Sequence, residues 1–109
     1  MNSIEDITTF NRILEENNLV LAFFWGHHCS VCHSLKPQLT ALLTNFFPEV
    51  LFTDIQIEKA PELAAHYSVF TVPVILLFIQ GKEYIREVRI VDLSLFHQKL
   101  ERIIHLSKK

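Results

Sequence analysis

The chain of 109 residues is sparing with the residues that mark specialised architectures. Glycine occurs only at Gly26 and Gly81, and proline only at Pro37, Pro48, Pro61 and Pro73. There is accordingly no Gly- or Pro-rich linker, no repeat and no low-complexity segment. The two cysteines, Cys29 and Cys32, are too few for a disulfide framework, and their spacing points to redox or metal chemistry. Neither sign of charge dominates: 10 Lys and Arg stand against 12 Asp and Glu. The clustered basic face that nucleic-acid binding requires is missing, so no nucleic-acid partner is expected. Apolar runs stop at Leu19–Trp25 and Val74–Ile79, far short of the roughly 20 residues that span a bilayer. No membrane partner is expected. The opening MNSIEDITTF has no basic region ahead of an apolar stretch. A secretory leader is therefore not expected, and a cytoplasmic location is.

What the chain does have is apolar content, half of all residues. That excludes disorder and supplies the core of one domain, expected over 1–109. Ser3 with Asp6 reads as a helix N-cap box, ahead of Ile4, Ile7, Phe10, Ile13 and Leu14 at helical spacing. Asn17 and Asn18 end that helix. The run Leu19–Trp25 suits a central strand buried on both faces, and Gly26 breaks it. A second helix is expected from Ser30 to about Asn45, with Leu35, Leu39, Leu42, Leu43 and Phe46 as its packing stripe and Pro37 inside it. Val50 to Ile57 reads as a strand, and Pro61 to about His66 as a short helix begun by proline. Val74–Ile79 reads as another buried strand. Gln80-Gly81-Lys82 is a tight turn, Tyr84 to Val91 an edge strand, and Asp92 caps a last helix carrying Leu93, Phe96, Leu100, Ile103 and Ile104. Helices and strands alternate, then close with a hairpin and a helix. This predicts a mixed central sheet sandwiched between helices.

The chemistry concentrates in Phe24-Trp25-Gly26-His27-His28-Cys29-Ser30-Val31-Cys32-His33. A buried strand ends, a short loop follows, and two cysteines bracket the start of a helix. Cys29 is placed where unpaired amides and the helix dipole favour an anion, so its thiol is expected to be lowered in pKa and to attack. Cys32, one turn further in and more buried, is expected to resolve the mixed disulfide. Imidazolium at His28 or His33 would favour a nearby thiolate. A second signal is Thr71-Val72-Pro73-Val74, where a proline opens an apolar strand. A cis Val72–Pro73 bond would make a sharp entry and leave the Val72 backbone free to pair with an extended peptide.

These residues together resemble the thioredoxin family over essentially the whole chain. The resemblance is carried by Phe24-Trp25, Cys29-x-x-Cys32, Pro37 five residues later, Pro73 opening a strand, and Phe78 with Gly81 in the hairpin. It implies a thioredoxin-like three-layer α/β/α sandwich whose mixed sheet ends in a C-terminal hairpin and helix. It implies a thiol–disulfide oxidoreductase that reduces protein disulfides, with Cys29 attacking and Cys32 resolving. Pro73 would be the cis-proline facing the disulfide, Val72 would supply backbone hydrogen bonds to substrate, and Trp25 would shape the floor and side of the site. His28 stands where the family usually has Trp and is counted with the substrate-binding positions. The implied partners are protein disulfide substrates and a thioredoxin-reductase-like electron donor, with the protein itself a monomer. No organic cofactor or metal is expected.

Other positions depart from the family pattern. Ser30-Val31 replace the usual Gly-Pro, Phe23 stands where a buried Asp is usual, and Asp54 stands at the position of that Asp's Lys partner. Arg89 replaces the Gly beside the cis-proline, where it would crowd the groove and add positive charge. The family's first strand is expected to be absent or very short. Asp54 is read more simply as an ordinary polar residue near a strand end than as a base for Cys32. Metal binding by His27, His28, Cys29, Cys32 and His33 is the main rival to redox chemistry, but no second ligand pair appears downstream. Cys29 to His33 also spells a haem-attachment motif, which would need export and a second axial ligand, with Met1 the only Met. A protein-binding accessory module with little turnover is the alternative function.

Overall fold

A computed structural model describes residues 2–108; Met1 and Lys109, the ends of the expected 1–109 unit, lie outside the described residues. The elements follow one another as β1 (Asn2–Ser3), α1 (Ile7–Glu16), β2 (Leu19–Trp25), α2 (Ser30–Phe46), β3 (Leu51–Gln56), α3 (Pro61–His66), β4 (Val74–Ile79), β5 (Lys82–Val88) and α4 (Leu93–Ser107). The sheet order is β1-β3-β2-β4-β5. Strand β2 pairs parallel with β3 and antiparallel with β4, and β4 pairs antiparallel with β5.

The two wholly apolar strands lie at the centre of this order because both their faces are covered by helices. One face of β2 and β4 presents Leu21, Phe23, Ile75 and Leu77 to Leu35, Leu39 and Leu43 of α2 and to Phe96, Leu100 and Ile104 of α4. The opposite face presents Val20, Ala22, Phe24, Leu76 and Phe78 to Phe10 and Leu14 of α1 and to Leu63 and Ala64 of α3. Phe10 meets Phe78 edge-on at 5.6 Å and Tyr67 at 5.5 Å. Each fully buried Phe or Leu contributes about 1.5–3 kcal/mol relative to exposure, so the two faces hold the sheet in place. At the outer edge, β5 buries only Ile85 and leaves Lys82, Glu83 and Tyr84 exposed.

Four details differ from the sequence expectation. Asp6 alone caps α1, accepting from the Thr9 N–H at 2.7 Å. Ser3 is instead part of β1, a strand of two residues that pairs parallel with β3 at Thr53 and Asp54. Phe46 is 60 % exposed and rests on His97 at 4.7 Å between ring centres, while Phe47, one residue on, is buried. The chain leaves the helix there, with the Phe47 N–H donating to the Leu43 carbonyl, so the apolar stripe continues on the cap residue. Strand β5 stops at Val88 because Arg89 has φ 66° and turns the chain out of the ladder.

Candidate active site

Strand β2 delivers the loop Gly26-His27-His28 to the start of α2. The loop is fastened on both sides: the Ile57 N–H donates to the Trp25 carbonyl at 2.9 Å, and the Cys29 N–H to the Gly26 carbonyl at 3.2 Å. Gly26 serves close approach rather than φ: a Cβ there would lie 3.3 Å from Val72 Cγ2 and 3.1 Å from a Glu58 oxygen, tight contacts that those side chains would have to relieve. The Glu58 carboxylate accepts from the His27 N–H at 3.2 and 3.3 Å. Desolvation pushes the Glu58 carboxyl upward, but hydrogen bonds from its own amide, the His27 amide and Gln56, with the charge of His27, outweigh this and hold it below its ordinary value.

Cys29 is the N-cap of α2, and its sulfur accepts from the Cys32 N–H at 3.2 Å. Cys29 is half-buried whereas Cys32 is 1 % exposed. The two are joined by a disulfide, with their Cα atoms 5.2 Å apart, inside the range such bonds require. The unequal exposure follows from helix geometry: Cys29 is on the solvent-facing first turn, and Cys32 turns in toward Phe23 and Leu35. His33 follows on α2, with its Nε2 2.9 Å from the His27 carbonyl oxygen. Among the described residues no three His, Cys, Asp or Glu side chains converge as a metal site.

Across from Cys29 lies the Val72–Pro73 peptide, which is cis. Gly26, His28, Cys29, Val72, Pro73 and Arg89 border one open groove of about 480 Å³. Five sequence-predicted positions thus meet: His28, Cys29, Val72, Pro73 and Arg89. Cys32 lies beneath them. Trp25, expected to shape the floor and side of the site, packs with Cys29 against the core cluster that holds Cys32. Its indole N–H donates to Asp54 Oδ1 at 3.0 Å, with the ring edge-on to His33 at 5.7 Å and under Lys36 Nζ at 5.2 Å.

Asp54 is not an ordinary polar residue near a strand end. It is 1 % exposed and pairs with Phe23 across β2 and β3, so its side chain points to the same sheet face as Phe23. It accepts from Trp25 Nε1, receives the Ser3 hydroxyl at 3.2 Å, and has Lys36 Nζ at 3.7 Å. Lys36 is one helical turn after Cys32, which places it on the same stripe of α2. Sequence reading passed over Lys36, Glu58 and this role of Asp54. Asp54 stands in β3 between Thr53 and Ile55, two residues before Gln56, so nothing in the local sequence marks it as buried.

The thioredoxin family model matches residues 3–102. The chain belongs to the thioredoxin family. It is 34 % identical over 106 residues to the thioredoxin-like protein YdfQ of Bacillus subtilis, covering 97 % of this chain and 94 % of that one. It is 37 % identical over 76 residues to the thioredoxin of Chlamydia trachomatis, covering 70 % and 74 % of the two chains. The thioredoxin of Fasciola hepatica superposes with a TM-score of 0.84 at 25 % identity, covering 94 % of this chain and 98 % of that one. The oxidised mitochondrial thioredoxin 3 of Saccharomyces cerevisiae gives 0.83 at 19 % identity, covering 94 % of each, a likeness of fold alone. With its bonded cysteine pair at the family position, this thioredoxin-family chain is a thiol–disulfide oxidoreductase.

Proposed function

We propose that the protein works in the reducing direction on protein disulfides, with Cys29 as nucleophile and Cys32 as resolving thiol. The observation that carries this reading is the pairing of a half-exposed N-cap cysteine with a buried partner one turn on. In the dithiol form the Cys32 N–H and the α2 dipole favour a thiolate at Cys29. That thiolate attacks one sulfur of a target disulfide. A bond forms between Cys29 and that sulfur, the target S–S bond breaks, and the second target sulfur leaves as a thiolate that takes up a proton. Cys32 then loses its proton and attacks Cys29. The mixed disulfide breaks, the first target sulfur leaves reduced, and the Cys29–Cys32 disulfide is restored. The two electrons spent are returned by a thioredoxin-reductase-like donor.

Val72 and Pro73 hold the target segment beside Cys29 in this reading, with His28 on the opposite rim. Trp25 shapes the floor and side of the site, its ring fixed by the bond to Asp54. The unit is a single domain that works as a monomer in the cytoplasm, where the glutathione pool favours net reduction. The test is turnover of a model protein disulfide fed by a chemical dithiol. Catalytic reduction that vanishes in Cys29→Ser supports the proposal. Stoichiometric binding without turnover would instead make the protein an accessory module.

A further inference from the structure

We infer that the groove beside Cys29 selects target disulfides flanked by an acidic side chain, with Arg89 as the residue that reads it. The inference rests on thiol–disulfide exchange at this site and adds the class of substrate. Arg89 comes directly after β5, one position beyond the Val74–Val88 pair. Its φ of 66° is a left-handed conformation that few residues other than glycine adopt. Its N–H donates to the Pro73 carbonyl at 2.8 Å, so the backbone is pinned to the residue that faces the disulfide. A long cationic side chain kept at a position suited to glycine is the kind of local strain that collects at binding sites.

That side chain borders the groove and is exposed. Four cations of the chain have acidic partners, Lys36 with Asp54, Arg86 with Glu83, Lys99 with Glu87 and Lys108 with Glu49, whereas Arg12, Lys59, Lys82 and Arg102 have none among the described residues and do not line the groove. Arg89 has no carboxylate within 4.0 Å among the described residues. The one carboxylate lining the groove, Glu58, lies on the Gly26 side and already accepts from the His27 N–H. On the Pro73 side, therefore, the groove offers an uncommitted guanidinium, the group that best grips a carboxylate through paired N–H donors. In sequence beside the groove residues, Phe70, three before Pro73, and Ile90, next to Arg89, are 82 % and 89 % exposed. The fitting target is an extended segment with an Asp or Glu within about two positions of its cysteine.

The test uses three disulfide-linked peptides that differ only in the residue two positions from the cysteine: Asp, Ser or Lys. Wild-type kcat/KM is expected to fall from Asp to Lys by about three- to ten-fold at low salt, the effect of one exposed ion pair made or opposed. Added salt should compress that spread. Arg89→Glu should reverse the order, and Arg89→Gly, which suits the positive φ, should flatten it. Equal wild-type rates on the three peptides, or an order unchanged in Arg89→Glu, would overturn the inference while leaving exchange at Cys29 intact. No reduction even of the Ser peptide would overturn the exchange reading and this inference with it.

Discussion

The buried carboxylate at Asp54 allows a quantitative test of how the site is held. Asp54 replaces water with three partners: the Trp25 indole, the Ser3 hydroxyl and the Lys36 ammonium. Asp54→Ala strands the indole N–H and leaves the Lys36 charge without its partner. A hydrogen bond to a charged acceptor is worth about 1.5–3 kcal/mol net, so a loss of about 2–4 kcal/mol is expected. Lys36→Met leaves the carboxylate buried with two neutral donors. The Lys36 side chain is 31 % exposed, so solvent already screens part of the attraction, and about 1–2 kcal/mol is expected. The double variant Lys36→Met/Asp54→Ala removes both charges and leaves neither buried ion without its partner. Its cost should fall short of the summed single costs by about 1 kcal/mol or more, because the stranded charge disappears. Urea unfolding followed through Trp25, the one Trp of the chain, reads all three. At about 2 kcal/mol per molar urea, the Asp54→Ala midpoint should drop by about 1–2 M. Strict additivity, or a Lys36→Met variant as stable as wild type, would refute the reasoning.

Further outcomes are expected elsewhere in the molecule. Cys32→Ser should accumulate mixed disulfides with target proteins on non-reducing gels and Cys29→Ser should not; the opposite pattern would exchange the two roles. Phe10→Ala opens a cavity in a wholly buried position and should cost about 3–5 kcal/mol by thermal or chemical unfolding. Gly81 has φ 79° in the β4–β5 turn, so Gly81→Ala should destabilise by about 1 kcal/mol, although a Cβ there would meet nothing within 4 Å. Asp6 is held below its ordinary value of 3.8, first by the Thr9 N–H and then by the Thr9 hydroxyl, against desolvation, with a smaller help from the Arg12 charge. A lowered folded value means that its cap is fully present above the unfolded value and is lost as pH falls through the folded one. Protection of the Thr9 amide, its exchange rate relative to the intrinsic rate at each pH, should therefore fall only in strong acid, and Asp6→Asn should remove that acid-dependent step.

The parts of the fold that could be read in advance were those written in consecutive residues. Leu19–Trp25 and Val74–Ile79 are apolar at every position, which only a strand covered on both faces satisfies in so few residues. Pro61 at the first turn of α3 and Asp92 at the cap of α4 signal their helices locally. The cysteines were legible for the same reason, because helix start and spacing lie within one short stretch. What escaped depends on partners far apart in sequence. Ser3 resembles a cap next to Asp6, yet its hydroxyl is engaged 51 residues away at Asp54. Asp54 itself has no local mark of burial, since Trp25 and Lys36 reach it from other elements. Phe46 and Phe47 compete for the same stripe, and only the end of α2 decides between them. Arg89 was visible as a departure from the family pattern; its left-handed backbone and its bond to Pro73 needed the fold.

The outer rim of β5 has a bearing on how these molecules coexist at high concentration. A border strand whose amides and carbonyls point into solvent can template another copy and start fibrous growth. Along this rim Lys82, Glu83, Arg86 and Glu87 crowd the border with both signs of charge, and Arg86 and Glu83 are locked together at 2.8 Å. A second molecule approaching edge-on would have to strip water from those ions before gaining any strand contact. Replacing the exposed Lys82 and Glu83 with threonine or valine would leave the sheet's buried faces in place and turn a self-avoiding surface into a seed for aggregation.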